Sequence, residues 1–123
     1  MSPDGARILV VEDDRGVATM LERGLRLGGH RVTIAGSAGE ARRTWVAERF
    51  DLILLDVMLP DGDGIELLAE RRAGGDDVPA VLLTAREEAE LHERAARAGA
   101  TAYLPKPFAW AELLALIERV KSP

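Results

Sequence analysis

A chain of 123 residues with 47% apolar and 30% charged residues has the composition of one globular domain. Its net charge of −5 argues against direct nucleic-acid binding, which relies on Lys and Arg to neutralise phosphates. The absence of cysteine excludes a disulfide framework and a thiolate metal site. There is no apolar stretch of about 18 residues to form a spanning helix, and Met1-Ser2-Pro3-Asp4-Gly5 lacks the pattern of a signal peptide. The expectation is a cytoplasmic protein without membrane contact.

Strand-like and helix-like segments alternate five times, the pattern of βαβ units around a parallel sheet. The first apolar run, Ile8-Leu9-Val10-Val11, leads into Glu12-Asp13-Asp14. Asp14 can cap a helix over Arg15–Leu27 in which Val17, Leu21 and Leu25 share a face, and Gly28-Gly29 ends it. A weaker strand covers Arg31–Ala35. Ser37 and Glu40 have the spacing of a capping box, opening a helix that carries Ala41, Trp45 and Glu48.

The third strand, Leu52–Asp56, precedes a turn-rich loop, Leu59-Pro60-Asp61-Gly62-Asp63-Gly64, and a helix over Ile65–Ala73. Asp61-Gly62-Asp63-Gly64 is superficially like a calcium loop, but Ile65 stands at the next ligand position and the later glutamate spacing fails. A fourth strand, Ala80–Thr84, is followed by a charged helix over Glu87–Ala98. The fifth strand spans Thr101–Leu104. The last helix, Trp110–Lys121, places Leu113, Leu114 and Ile117 in one apolar stripe. The strands are continuous apolar runs, as in a sheet buried on both faces. No linker or internal repeat divides the chain, so a single domain over residues 1–123 is expected, with its core at about 7–120 and no effector domain.

If these strands are parallel, their carboxyl ends share the edge where open α/β sheets bind ligands. Two readings are open for Asp56: a helix cap or turn former, or a nucleophile that takes a phosphoryl group. Likewise Glu12, Asp13 and Asp14 form either a solvated acidic turn or part of a magnesium site. In the second case Asp13 and Asp56 bind directly, Glu12 binds directly or through water, and the Met58 backbone carbonyl adds a ligand. Thr84 is either an ordinary strand residue or a donor to a phosphoryl oxygen. Lys106, between Pro105 and Pro107, is either a charged turn residue or an ammonium aimed across the edge. The Lys106–Pro107 bond is a candidate for the cis form.

Taken together, Ile8–Asp14, Leu54-Leu55-Asp56-Val57-Met58-Leu59-Pro60 with Asp63-Gly64, Leu83-Thr84-Ala85-Arg86, Gly99-Ala100 and Tyr103-Leu104-Pro105-Lys106-Pro107-Phe108 resemble the receiver domain of two-component response regulators. The match runs from Arg7 to about Val120. Its spacings are 43 residues from Asp13 to Asp56, 28 on to Thr84 and 22 on to Lys106.

The resemblance implies a flavodoxin-like, doubly wound (βα)5 fold with strand order 2-1-3-4-5 and helices on both faces. It makes Asp56 the acceptor of a phosphoryl group from the phosphohistidine of a sensor histidine kinase or phosphotransfer domain. Glu12, Asp13, Asp56 and the Met58 carbonyl become the site for Mg2+ (or Mn2+). Thr84 and Lys106 hold the phosphoryl oxygens, and Tyr103 is the switch aromatic. The domain is then a signalling module rather than an enzyme, although it assists its own phosphorylation and slow autodephosphorylation. Phosphorylation reshapes the face formed by the fourth helix, fifth strand and fifth helix, which addresses an output domain, a target protein or a second copy of the chain.

Met58 and Arg86 are expected at the pocket rim, where they lengthen the phosphoryl lifetime. The winged-helix DNA-binding branch of the family usually has Gly-Ala-Asp-Asp-Tyr before the lysine turn and arginine at the place of Leu116. This chain has Gly99-Ala100-Thr101-Ala102-Tyr103 and Leu116, so that branch's dimer contact lacks both its acidic and its basic partner. Two other classes fit less well. A haloacid-dehalogenase-like phosphatase expects Asp-x-Asp at its nucleophile, whereas Val57 and Met58 follow Asp56. A flavin or nucleotide carrier on a flavodoxin-like fold would meet Glu12-Asp13-Asp14, which repels an anionic ligand.

Overall fold

The structure, a computed structural model, describes residues 5–85 and 89–121. Among these the chain alternates β1 (Arg7–Val11), α1 (Arg15–Leu27), β2 (Arg31–Ala35), α2 (Ala38–Ala47), β3 (Leu52–Asp56), α3 (Gly64–Ala73), β4 (Ala80–Thr84), α4 (Ala89–Ala98), β5 (Ala102–Pro105) and α5 (Trp110–Lys121). Between β3 and α3, Met58–Leu59 and Gly62–Asp63 pair as a separate two-residue antiparallel ladder. The five main strands are parallel and ordered β2-β1-β3-β4-β5. This is the expected doubly wound order.

The continuous apolar runs are explained by burial on both sides. Leu9, Val11, Ile53, Leu55 and Leu82 face one cluster with Trp45 of α2, Leu67 and Leu68 of α3, and Leu91 and Ala95 of α4. Their neighbours Ile8, Val10, Leu52, Leu54, Val81 and Leu83 face the other, with Leu21 and Leu25 of α1 and Leu113, Leu116 and Ile117 of α5. Each fully buried Leu or Ile contributes about 1.5–3 kcal/mol by leaving water.

Several boundaries and packing details differ from the sequence reading. α2 stops at Ala47, and Glu48 is its extended C-cap rather than a helical residue. α3 starts one residue early because Asp63 caps it, accepting from Ile65 N at 2.7 Å. β5 is shifted by one residue, since Thr84 pairs with Pro105 and leaves Thr101 outside the ladder. Glu87, the expected start of the fourth helix, lies outside the described residues, and α4 begins at Ala89. In α5 the buried stripe is Leu113, Leu116 and Ile117, with Leu114 only half-buried.

The helix signals otherwise work as chemistry requires. Asp14 caps α1 through Val17 N at 3.0 Å. Gly29 takes up φ 90° after its last turn. Ser37 caps α2 through Glu40 N at 3.1 Å, but the expected return bond is displaced: the Glu40 carboxylate accepts from Gly36 N at 3.4 Å.

Candidate functional site

Register decides which residues meet. Val11 pairs with Leu55, so Glu12 leaves β1 level with Asp56 at the end of β3. Asp56 pairs with Leu83, so Thr84 reaches one residue further on β4. Thr84 pairs with Pro105, and Lys106 follows at once. Four strands thus deliver Glu12, Asp56, Thr84 and Lys106 to one carboxyl edge. The Lys106–Pro107 peptide bond is cis.

Lys106 Nζ donates to Glu12 Oε1 and, at 3.1 Å, to Asp56 Oδ2. The remaining oxygens of both carboxylates are held by backbone. Glu12 Oε2 accepts from Asp14 N at 3.1 Å, and Asp56 Oδ1 accepts from Met58 N at 3.2 Å. The backbone beneath is equally tied: Lys106 N donates to Thr84 O at 2.6 Å and Val57 N to Leu83 O at 3.1 Å. Each acidic side chain is therefore fixed from two directions, one ionic and one through an amide.

Glu12 is 2% exposed, Asp56 7% and Thr84 0%, while Asp13 is open to solvent. Burial pushes the Glu12 carboxyl above its ordinary value, against the pull of Lys106 and the Asp14 N–H. Burial also pulls the Lys106 ammonium down, but Glu12 and Asp56 outweigh it and hold it above the usual lysine value. A charged lysine shared by two carboxylates is the compensation that such a buried cluster requires.

The donor set suits a small divalent cation. Glu12, Asp13 and Asp56 each offer a carboxylate oxygen, and these oxygens lie within 4.8 Å of one another. All are hard oxygen donors, and the exposed Asp13 leaves a side open to retained water, as magnesium prefers.

Residues 8–118 match the model of the family described as response regulator receiver domain. The chain belongs to the receiver domain family of response regulators. It is 44% identical over 119 residues to response regulator MprA of Mycobacterium ulcerans, covering 94% of this chain and 51% of that protein. The chain thus spans about half the length of that relative. Among solved structures, the non-phosphorylated HemR receiver domain of Leptospira biflexa superposes with a TM-score of 0.89 at 38% identity, covering 95% of this chain and 94% of that one. The receiver domain of sensor histidine kinase PA1611 from Pseudomonas aeruginosa, solved with magnesium in its active site cleft, gives 0.87 at 38% identity, covering 97% and 99%. The fold is the flavodoxin-like receiver fold, and the role is that of a signalling domain in two-component regulation. Neither the phosphatase nor the flavin-carrier reading finds support in these matches.

Within this receiver, Glu12, Asp13, Asp56 and Lys106 come together as a cluster, with Thr84 fully buried on the adjoining strand end. Tyr103 is half-buried on β5, its ring 4.0 Å from that of His92 on α4 at an interplanar angle of 35°. The Met58 side chain is 56% exposed. Arg86 lies outside the described residues. Leu116 is buried against β-sheet residues, so on α5 it is a packing residue. Among the described residues no helix is long and apolar enough to cross a membrane.

The sequence reading missed the groups that hold the loop after Asp56. Asp61 accepts from Ala38 N at 2.7 Å and from Gly39 N at 3.0 Å, and Asp63 accepts from Arg94 Nη2 at 2.7 Å. In the sequence both stand only as turn formers. The available signal was a carboxylate pair in a loop close to a strand-end acid, with no hint of the distant partner.

Proposed function

We propose that Asp56 is the phospho-acceptor of this receiver. An Asp56 carboxylate oxygen attacks the phosphorus of a phosphohistidine on a sensor histidine kinase or phosphotransfer domain. The P–N bond breaks, the histidine nitrogen leaves, and an aspartyl phosphate remains. The observation that carries this reading is the Lys106 ammonium bonded to both Glu12 and Asp56 at the carboxyl edge. It places a cation where phosphoryl charge would build, and catalysis of phosphoryl transfer is mostly positioning and charge stabilisation.

Glu12, Asp13, Asp56 and the Met58 backbone carbonyl would hold Mg2+ (or Mn2+). When bound, the cation supplies positive charge that offsets the crowded carboxylates and the incoming phosphoryl oxygens. Lys106 keeps one phosphoryl oxygen paired, and the Thr84 hydroxyl donates to another. Both contacts exist only in the modified state, so they bias a two-state equilibrium toward it. A difference of about 3 kcal/mol changes the active-to-inactive ratio by roughly two orders of magnitude.

Tyr103 turns inward as Thr84 moves toward the phosphoryl group, and the α4-β5-α5 face changes shape. That face addresses an output domain, a target protein or a second copy of the chain. Met58 and Arg86 shield the acyl phosphate from water, so autodephosphorylation is slow. The domain works in the cytoplasm as a single receiver unit over residues 1–123, without direct contact to nucleic acid or membrane.

The test is transfer from a phosphorylated histidine phosphotransfer domain with magnesium present, and again after chelation. Labelling of this chain that disappears with chelator supports the reading. Labelling that ignores the chelator contradicts the metal site.

A further inference from the structure

The hairpin that follows Asp56 is secured at both ends. At its start, Val57 N is bonded to Leu83 O at 3.1 Å. At its end, Gly64 N returns to Val57 O at 2.7 Å and Asp63 caps α3. Between these anchors, the ladder Met58–Asp63 and Leu59–Gly62 and the bond from Met58 N to Asp56 Oδ1 at 3.2 Å set the backbone. A two-residue ladder is marginal by itself.

The tip of this hairpin is held from outside. Both oxygens of Asp61 are engaged by the first turn of α2, at Ala38 N and Gly39 N. Side-chain carboxylates are favoured there because the first helical N–H groups have no partner within the helix. These N–H bonds, that of Gly39 foremost, also hold the Asp61 carboxyl below its ordinary value. Two glycines permit the approach. A Cβ on Gly39 would come within 3.3 Å of Asp61 Oδ2, and one on Gly62 within 3.2 Å of the Ala38 Cβ. A separate tie, from Arg42 of α2 to Glu70 of α3 at 2.7 Å, keeps these two helices together.

We infer that Asp61 is a positioning residue for the metal site: by clamping the hairpin tip to the N-terminus of α2, it places the Met58 carbonyl for the cation. This rests on the proposed role of Glu12, Asp13, Asp56 and the Met58 carbonyl. A helix cap alone would stabilise α2 without affecting the metal. A clamp transmits its loss to the carbonyl, and misplaced supporting groups typically weaken metal binding by about tenfold or more.

The experiment measures magnesium affinity by calorimetry on five proteins: the parent, Asp61→Ala, Asp61→Asn, Ser37→Ala and Asp13→Asn. Ser37→Ala removes the other acceptor from the same helix end but leaves the hairpin intact. The expected result is a loss of about tenfold for Asp61→Ala, partial recovery in Asp61→Asn, and parent-like affinity for Ser37→Ala. The acetyl phosphate labelling rate of Asp61→Ala should return to the parent's at saturating magnesium. Equal losses in Asp61→Ala and Ser37→Ala, or none in Asp61→Ala, would reduce Asp61 to a helix cap and overturn the inference. Parent-like affinity in Asp13→Asn would instead overturn the metal-site reading on which it rests.

Discussion

Lys106 Nζ stands 3.1 Å from Asp56 Oδ2 and at the same time donates to Glu12, so one ammonium ties the ends of β1, β3 and β5 together. In the absence of metal, Lys106 is the cation that compensates this carboxylate pair. Its removal leaves two buried carboxylates facing each other. Lys106→Met should lower metal-free stability by about 2 kcal/mol, reflecting uncompensated buried charge on a partly exposed pair. Saturating magnesium should shrink that deficit, because added positive charge replaces the lost ammonium. Urea unfolding with and without magnesium checks both parts.

Tyr103 and His92 stack with ring centroids 4.0 Å apart. Such a pair contributes about 0.5–1.5 kcal/mol, all of it favouring the half-buried tyrosine position that packs against the core. Tyr103→Ala should label normally with acetyl phosphate yet lose the beryllofluoride-induced chemical-shift changes in α4. His92→Ala should keep those changes and reach them at a lower beryllofluoride concentration. Amide NMR titration separates the two.

Gly64 sits where a side chain has no room. A Cβ there would run into the Asp56 carbonyl oxygen, and both neighbouring backbones are hydrogen-bonded in place. Gly64→Ala should therefore destabilise the domain by about 1–3 kcal/mol, as overpacking does. It should also slow labelling, because the displaced backbone belongs to Asp56 itself. Thermal melting and a labelling time course measure the two effects.

Far from the pocket, Asp76 accepts from Trp45 Nε1 at 2.9 Å, Arg71 Nη2 at 3.2 Å and Val78 N at 3.0 Å. Burial alone would raise its carboxyl, but the Val78 N–H, Arg71 and Trp45 outweigh burial and hold it below the ordinary value. A depressed folded value means stability that is fully present above the unfolded value of about 3.9. That stability is lost as pH falls through the folded value. Asp76→Asn should cost about 1–2 kcal/mol near neutrality. The difference from the parent should close in acid, as read from urea midpoints across a pH series.

Much of this site was legible because burial writes strands plainly. Ile8–Val11, Leu52–Leu55 and Ala80–Leu83 are apolar on both faces, so the first polar residue after each marks the sheet edge. Glu12, Asp56 and Thr84 could be placed without knowing any contact. Local capping was legible for the same reason at Asp14, whose partner is three residues away. The Asp61 clamp was not, since its partners lie 22 and 23 residues upstream and a Pro-Asp-Gly sequence is already explained by a turn. The displaced Glu40 bond and the substitution of Leu116 for Leu114 in the buried stripe of α5 depend on a rotation of a few tens of degrees. A period of 3.6 residues per turn leaves such a rotation open.

The measurement that bears most directly on the central claim is the location of the phosphoryl group after incubation with acetyl phosphate and magnesium. Borohydride converts an aspartyl phosphate to homoserine, so peptide mass spectrometry reads its position in the chain. One modification at residue 56, absent from Asp56→Asn, is the expected result. An unmodified parent protein, or equal labelling of the Asp56→Asn variant, would contradict the assignment of Asp56 as the acceptor.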